Sequence, residues 1–409
     1  MLDIATCVCG ATVMVWRKIL QQESEHQWLA ISGFFIFVIL GAVLIKGTSH
    51  LPGVDLTENE FGAEHRVMEI AYSDEMSAVA STYSDGNYQL IAIESGSINV
   101  IMDKESQFDV SRISQITTIE NSSVLVTNGL DEVILIENLQ TFEFETNFGV
   151  DDFGVTDIAQ SKNDPHRFLM ITKETDSFNS IRGLNSTGIT SSFTPNNENV
   201  IWDNLAHVSN QQWIATGTYN APATSGGESP AAPSLKPVWA KVLWNGGYTA
   251  PMIDDLHIGE YGEYHTAVNL NNEQFVIAGT HETIILDHQT GDFETMDYSS
   301  VAAASDKCDS VWLFNGQDSS SVLRFSGDSW SVENLPHDIP INVEAAGFDG
   351  TIVHLHGIDE NGSPKVLTFD TSALGSIESG GGFINLSFIV ISLIMFAVMA
   401  INIYDKFRQ

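Results

Sequence analysis

Two histidines, His354 and His356, stand two residues apart near the end of the chain. On an extended strand, positions i and i+2 share a face. Two imidazoles on one face can hold a zinc ion, and the same spacing equally suits a packed pair. Acids gather in two other places: Asp151, Asp152 and Asp157, and then Asp254, Asp255, Glu260 and Glu263 beside His265. Hard carboxylate oxygens suit Ca2+, so Asp254, Asp255, Glu260, Glu263 and His265 are the candidate metal ligands, with Ca2+ as the ion. Neither run has the Asp-x-Asp-x-Asp spacing of a calcium loop. Cys7 and Cys9 are spaced to share a metal or to accept a lipid.

Local motifs for other chemistry are absent. There is no Gly-x-Ser-x-Gly elbow, no glycine loop for phosphate, no His-Glu-x-x-His and no paired-cysteine zinc site. No catalytic or cofactor-binding residue is therefore assigned. A triad assembled from distant residues leaves no local trace and stays open.

Charge narrows the partners. The chain carries 53 acids against 17 Lys and Arg, a net −36. Only Asp3, Glu23, Glu25 and Asp405 lie outside residues 47–382, so 49 of the acids fall within that region. A surface so acidic repels nucleic-acid phosphates, and no nucleic-acid partner is expected. Cys308 is the only cysteine of that region, which excludes a disulfide within it.

Two segments carry no charge: WLAISGFFIFVILGAVLI, from Trp28 to Ile45, and FINLSFIVISLIMFAVMAINIY, from Phe383 to Tyr404. At 1.5 Å per residue they reach about 27 Å and about 33 Å, the depth of a bilayer core. Arg17 and Lys18 precede the first, and Lys406 and Arg408 follow the second. The positive-inside rule then puts both termini in the cytoplasm. The expected layout is a cytoplasmic tail at 1–27, a transmembrane helix at 28–46 and a linker at 47–60. An extracytoplasmic domain follows at 61–375, then a Gly-rich linker at 376–382, a second transmembrane helix at 383–404 and a tail at 405–409. The long leader before the first apolar segment favours an uncleaved anchor over a signal peptide.

The central region repeats. A short apolar strand pattern recurs seven times, beginning at Ala78, Val124, Phe168, Trp213, Phe275, Trp312 and Val353. Small-residue strands precede it (MEIAYS, ITTIE, TDIAQS) and a second apolar strand follows (YQLIAIE, EVILIEN, ETIILDH). A polar fourth strand closes most units: SINVIM, TFEFET, ITSSFT, GYTAPM, DFETMD and SWSVEN. The seventh unit lacks one, and residues 61–66 are expected to supply it. Turn signals separate the strands at Ser84-Asp-Gly86, Gln289-Thr-Gly-Asp292, Ser326-Gly-Asp328 and Glu360-Asn-Gly362. Between the second and third strands of the fourth unit lies an insertion rich in Pro, Gly and Ser, Asn220–Pro237.

Four short strands per roughly 45 residues is the pattern of a propeller blade. The chain resembles the β-propeller superfamily of WD40-like and quinoprotein-like repeats over residues 60–375. Asp287-His-Gln-Thr-Gly291 is similar to the quinoprotein-like hairpin, and Ser326-Gly-Asp-Ser-Trp330 partly matches a sialidase-like Asp-box. Trp-Asp strand ends and Gly-His pairs are missing, so no family's functional residues carry over. The expected fold is mainly β: a seven-bladed β-propeller flanked by one N-terminal and one C-terminal transmembrane helix.

The expected function is a non-enzymatic binding module at the cell membrane, a subunit of an envelope complex with a protein partner and the lipid bilayer. A membrane-tethered hydrolase or lyase acting at the propeller face is the competing reading, and a transmembrane sensor the third. Acids clustered at the channel favour the enzyme, and apolar residues on the outer rim favour the binding module.

Overall fold

The computed structural model describes residues 24–47, 51–73, 77–119, 123–128, 133–143, 154–175, 178–185, 188–190, 199–209, 211–221, 234–270, 273–306, 310–327, 329–373 and 387–398, together with 400, 401 and 404. Asp151, Asp152 and all three cysteines lie outside the described residues. The chain divides into two units, Gly53–Ser372 and the joined ends, Met1–Pro52 with Ala373–Gln409.

Gly53–Ser372 is a seven-bladed β-propeller: seven four-stranded antiparallel sheets, each ordered as a meander from the centre outward. Blade 1 comprises Arg66–Ser73, Ser77–Ser84, Asn87–Glu94 and Ser97–Met102. The inner strands of blades 2 to 6 are Gln115–Thr118, Gly154–Ser161, Val200–Ser209, Tyr264–Asn269 and Ala302–Ser305. Blade 7 comprises Asn342–Asp349, Ile352–Ile358, Pro364–Asp370 and, on its outer edge, Val54–Thr57. Val54 pairs with Phe369 and Thr57 with Val366, so a strand from the start of the domain closes the ring. The closing strand thus lies upstream of residues 61–66. That segment instead forms a turn on the buried Asn59, whose side-chain oxygen accepts from Phe61 N at 3.0 Å.

The second strands carry the recurring apolar pattern, and their burial explains it. Val124–Thr127 and Ser310–Phe314 are buried at every position because a neighbouring blade covers each face. The apolar core is accordingly divided among the seams between blades. Leu169, Ile171 and Ile181 of blade 3 pack on Trp202, Trp213 and Val238 of blade 4. Val79 and Leu90 of blade 1 pack on Val124 and Ile136 of blade 2. Phe314 of blade 6 meets Phe369 of blade 7 at 5.1 Å between ring centroids. The Asp85-Gly86 turn has both residues at positive φ, 49° and 81°, the backbone of a tight two-residue hairpin.

Blade 4 also differs from the sequence expectation. The outer strand of blade 4 is Met252–Ile258 rather than GYTAPM, because the hairpin before it is longer. The ends of the insertion extend that hairpin: Thr218 pairs with Pro237 and Ala221 with Ser234. The insertion's tip, 222–233, falls outside the described residues.

In the other unit, Ser24–Gly47 forms one helix and residues 387–398 are helical. Phe37 stacks on Phe388 at 4.7 Å, and a Cβ at Gly41 would run into the Phe388 ring, so Gly41 is what lets the two helices approach. Among the described residues no helix is both long and apolar enough to cross a membrane; the side chains described in the first helix are those of residues 31–43.

Hydrogen bonds tie neighbouring blades together near the centre. Asp157, in the inner strand of blade 3, accepts from Leu205 N of blade 4. Its other oxygen accepts from Ile158 N at 2.7 Å. Asp157 is fully buried within its strand. Replacing it leaves Leu205 N–H buried without this acceptor. Asp157→Ala should therefore lower stability by about 1–3 kcal/mol, as read from thermal or denaturant unfolding of the full chain in mild detergent.

Candidate functional site

The inner strands of blades 1, 3, 4, 5 and 7 share an irregularity. Each slips register against its second strand, at Val67/Glu69, Val155/Asp157, Trp202/Asn204, Tyr264/Thr266 and Val343/Ala345, and blades 3 and 4 slip a second time at Gln160/Ser161 and His207/Ser209. A bulge adds one residue and redirects the side chains beside it. The extra residues are Met68, Thr156, Asp203, His265 and Glu344. Polar groups therefore enter the central region at a repeated height. Arg66 of blade 1 makes a two-pronged ion pair with Glu344 of blade 7, its Nε donating to Oε2 at 2.7 Å. His265 Nε2 lies 3.1 Å from Ser300 O, and burial depresses its pKa to about 4, so the ring is neutral.

Three inner-strand carboxyls are shifted upward. Burial raises Glu69 to about 7. Burial raises Asp157 to about 7 against two backbone N–H bonds that lower it, with Glu69 and Asp203 adding repulsion. Burial raises Asp203 to about 6, opposed by a hydrogen bond from Thr218 and assisted by Glu263. Glu69 of blade 1 and Asp157 of blade 3 are close enough for the charge on one to raise the pKa of the other. Asp157, with both oxygens engaged by backbone, is structural. Glu69 and Asp203 keep partial access and hold protons at a pH useful for general acid–base work.

A second cluster lies where blade 7 meets blade 1. His354 and His356 do share a face of the second strand of blade 7. Their rings are parallel within 11° and 6.2 Å apart. Tyr72 of blade 1 stacks on His354 at 4.9 Å, and its hydroxyl lies 3.0 Å from His356 Nε2 and 3.0 Å from Glu60 Oε1. Gly347 makes the space for Tyr72, since a Cβ there would strike the ring. One ligand atom from each of Glu60, His354 and His356 lies within 4.8 Å of the others. His356 is 1% exposed, and its Nδ1, like His354 Nε2, is buried with no hydrogen-bond partner. Burial depresses the His356 pKa to about 3, with His354 adding to the effect, and burial also lowers His354. Glu60 moves up through burial, opposed by the Tyr72 hydrogen bond and assisted by Asp349.

The acids singled out from the sequence are spread across the radius of the propeller. Asp254 and Asp255 lie on the outer strand of blade 4, not in a loop between blades. Asp254 pairs with Lys241 at 3.6 Å and Asp255 with His257 at 2.9 Å. Both border a cavity of about 150 Å³ between blades 4 and 5. Glu260 and Glu263 belong to the connection that follows, and His265 to the inner strand of blade 5. Successive strands stand about 4.8 Å apart, so an outer strand and the next inner strand are too distant to share one ion. Among the described residues, the group that comes within ligand distance is Glu60, His354 and His356. Sequence reading missed Glu60 and Tyr72, because nothing local marks them; ring closure alone brings residue 60 beside residue 354.

No family model matches the chain, and no curated protein matches it. Among solved structures the chain is similar to virginiamycin B lyase from Staphylococcus aureus, with TM-score 0.51 and 11% identity, over 77% of this chain and 98% of that one. It is similar to a chain in a Mitotic Checkpoint Complex, with TM-score 0.52 and 11% identity, over 78% and 94%. It is also similar to a puromycin-hydrolyzing peptidase of Mycobacterium tuberculosis, with TM-score 0.54 and 10% identity, over 79% of this chain and 54% of that one. At such identities the likeness establishes the shared propeller fold.

The raised carboxyls fix the sign of a pH effect. The folded protein keeps these protons at a pH where the unfolded chain has lost them. Folding is therefore favoured on the acid side, and that advantage is lost as pH rises from about 4 through about 7. Buried His265 and His356 oppose this below about pH 6.5, where the unfolded chain protonates them and the folded chain does not. The melting temperature should therefore fall between about pH 6.5 and about pH 8, and Glu69→Gln should flatten the fall, as read by calorimetry of the full chain in mild detergent.

Proposed function

We propose that this chain is a membrane-anchored, extracytoplasmic binding module that docks a protein partner as a subunit of a cell-envelope complex. The observation that carries the reading is the outer rim. Large apolar side chains are exposed on the outermost strands of six blades: Ile98, Phe142, Met252, Phe293, Trp330 and Leu56, of blades 1, 2, 4, 5, 6 and 7 respectively. Trp330 is 56% exposed, on an edge strand where Val332 stands on the same face. Unpaired edge strands that carry exposed apolar groups invite association. The acidity of 47–382 makes a basic or mixed protein surface the complementary partner and disfavours nucleic acid.

Anchoring rests on the two charge-free segments and on the apolar surface of the helical unit. Phe35, Ile39 and Val43 of the first helix are exposed, as are Ile389, Leu393 and Phe396 of the second. The two helices contact through Phe37, Phe388 and Gly41, and lipid is the natural cover for the sides left open. In this arrangement both termini are cytoplasmic and the propeller is extracytoplasmic. An impermeant protease added to intact cells should remove the propeller and leave tags at both termini protected; digestion of a terminal tag would overturn the topology.

The central carboxyls Glu69 and Asp203 support a second reading, a tethered hydrolase or lyase. The two readings separate by experiment. The full-length protein, purified from its native membrane in mild detergent, should bring a stoichiometric partner. Trp330→Ser with Val332→Ser should lose that partner while leaving the melting temperature within a few degrees, and Glu69→Gln should keep it. Isolation alone, or partner loss with Glu69→Gln but not with the rim variant, would remove the rim as the functional surface.

A further inference from the structure

We propose that Glu60, His354 and His356 form a binding site for one divalent transition-metal ion, with Zn2+ the best fit, and that the ion clamps the last blade to the turn leading into the first.

Geometry and donor chemistry carry this. The three residues come from both sides of the ring closure, 294 positions apart in sequence for Glu60 and His354. Their ligand atoms already lie within 4.8 Å of one another. Tetrahedral ligands at about 2.1 Å from an ion stand about 3.4 Å apart. The remaining closure falls within the reach of small side-chain rotations, above all at the exposed Glu60. Two imidazoles and a carboxylate form a borderline donor set that suits zinc better than calcium, which takes six or more oxygens.

A packed histidine pair would hydrogen-bond its buried nitrogens, and here one nitrogen of each ring is left without a bond. His354 Nε2 and His356 Nδ1 are buried without partners. The Tyr72 phenol has one proton, which it donates to Glu60 Oε1; its oxygen then accepts from His356 Nε2. That bond keeps the His356 proton on Nε2 and leaves Nδ1 as a lone pair. A buried lone pair with no donor is costly unless something meets it, and a metal ion does so. Tyr72 is the group that positions the ligands: it is stacked on one histidine, bonded to the other and bonded to the carboxylate. Three protein ligands leave a fourth position open for water.

The test uses the full chain in mild detergent, stripped with chelator and titrated with Zn2+ alone against a chromophoric competitor. One equivalent should bind. Glu60→Gln should weaken binding by ~10-fold or more, and His354→Ala with His356→Ala should abolish it. Zn2+ should raise the melting temperature of the wild type and leave that of the double variant unchanged. Co2+ in place of Zn2+ should give a tetrahedral visible spectrum that is lost in Glu60→Gln. Absence of stoichiometric binding, or equal binding in wild type and Glu60→Gln, would overturn the site. Should the double variant fail to fold, Glu60→Gln decides alone, because its side chain is exposed in a turn.

Discussion

The pairing of Val54–Thr57 with Pro364–Asp370 is the interaction on which the domain depends. A propeller blade buries both faces of its sheet against neighbours, so an open ring would leave two blades with a bare apolar face each. The chain supplies the closing strand from more than 300 residues away. Formation of that pair carries a large loop entropy, repaid only when all seven seams pack together. The Phe314–Phe369 contact and the Phe61 anchor sit beside this closure and bury some of its largest side chains. The histidine cluster, too, exists only because the ring is shut.

Closure also sets the electrostatics of the middle. Seven inner strands converge on one axis, and five of them bulge at a corresponding point. Two of the bulged residues, Asp203 and Glu344, are carboxyls, and Glu69 and Asp157 stand next to bulges. The protein answers in two ways. One acid, Glu344, is met by the cation of Arg66. Others, such as Glu69, hold their protons. The outer rim, where solvent is plentiful, instead carries exposed apolar groups on unpaired edges. Shifted carboxyls thus lie on inner strands, and exposed apolar groups on the outer edges.

Much of this architecture is legible in the sequence. The seven apolar runs from Ala78 to Val353 each fall in a second strand, because burial on both faces leaves a strong compositional trace. The hairpin at Asp85-Gly86 reads equally well, since positive φ restricts the residues. Bulges leave no such trace: Met68, Thr156, Asp203, His265 and Glu344 share no chemistry, so His265 read as a metal ligand beside acids. The outer strand of blade 4 was misplaced for a related reason, as solvent-facing strands tolerate almost any polar residue. The closing strand VDLT is too short to stand out from a linker. His354 and His356 were visible as a pair, but Glu60 and Tyr72 become their neighbours only through the fold.

Val54 pairs with Phe369, and Asp370 N donates to Gly53 O at 2.8 Å, so the chain enters and leaves blade 7 at the same end of one antiparallel pair. That arrangement has a mechanical meaning. A pull that separates the two connecting segments loads this pair as a zipper, opening its hydrogen bonds one after another instead of shearing all of them together. The ring's weakest point under tension is therefore its point of attachment. Lateral separation of the two flanking segments would spring the domain open at low force, and holding them side by side keeps it shut.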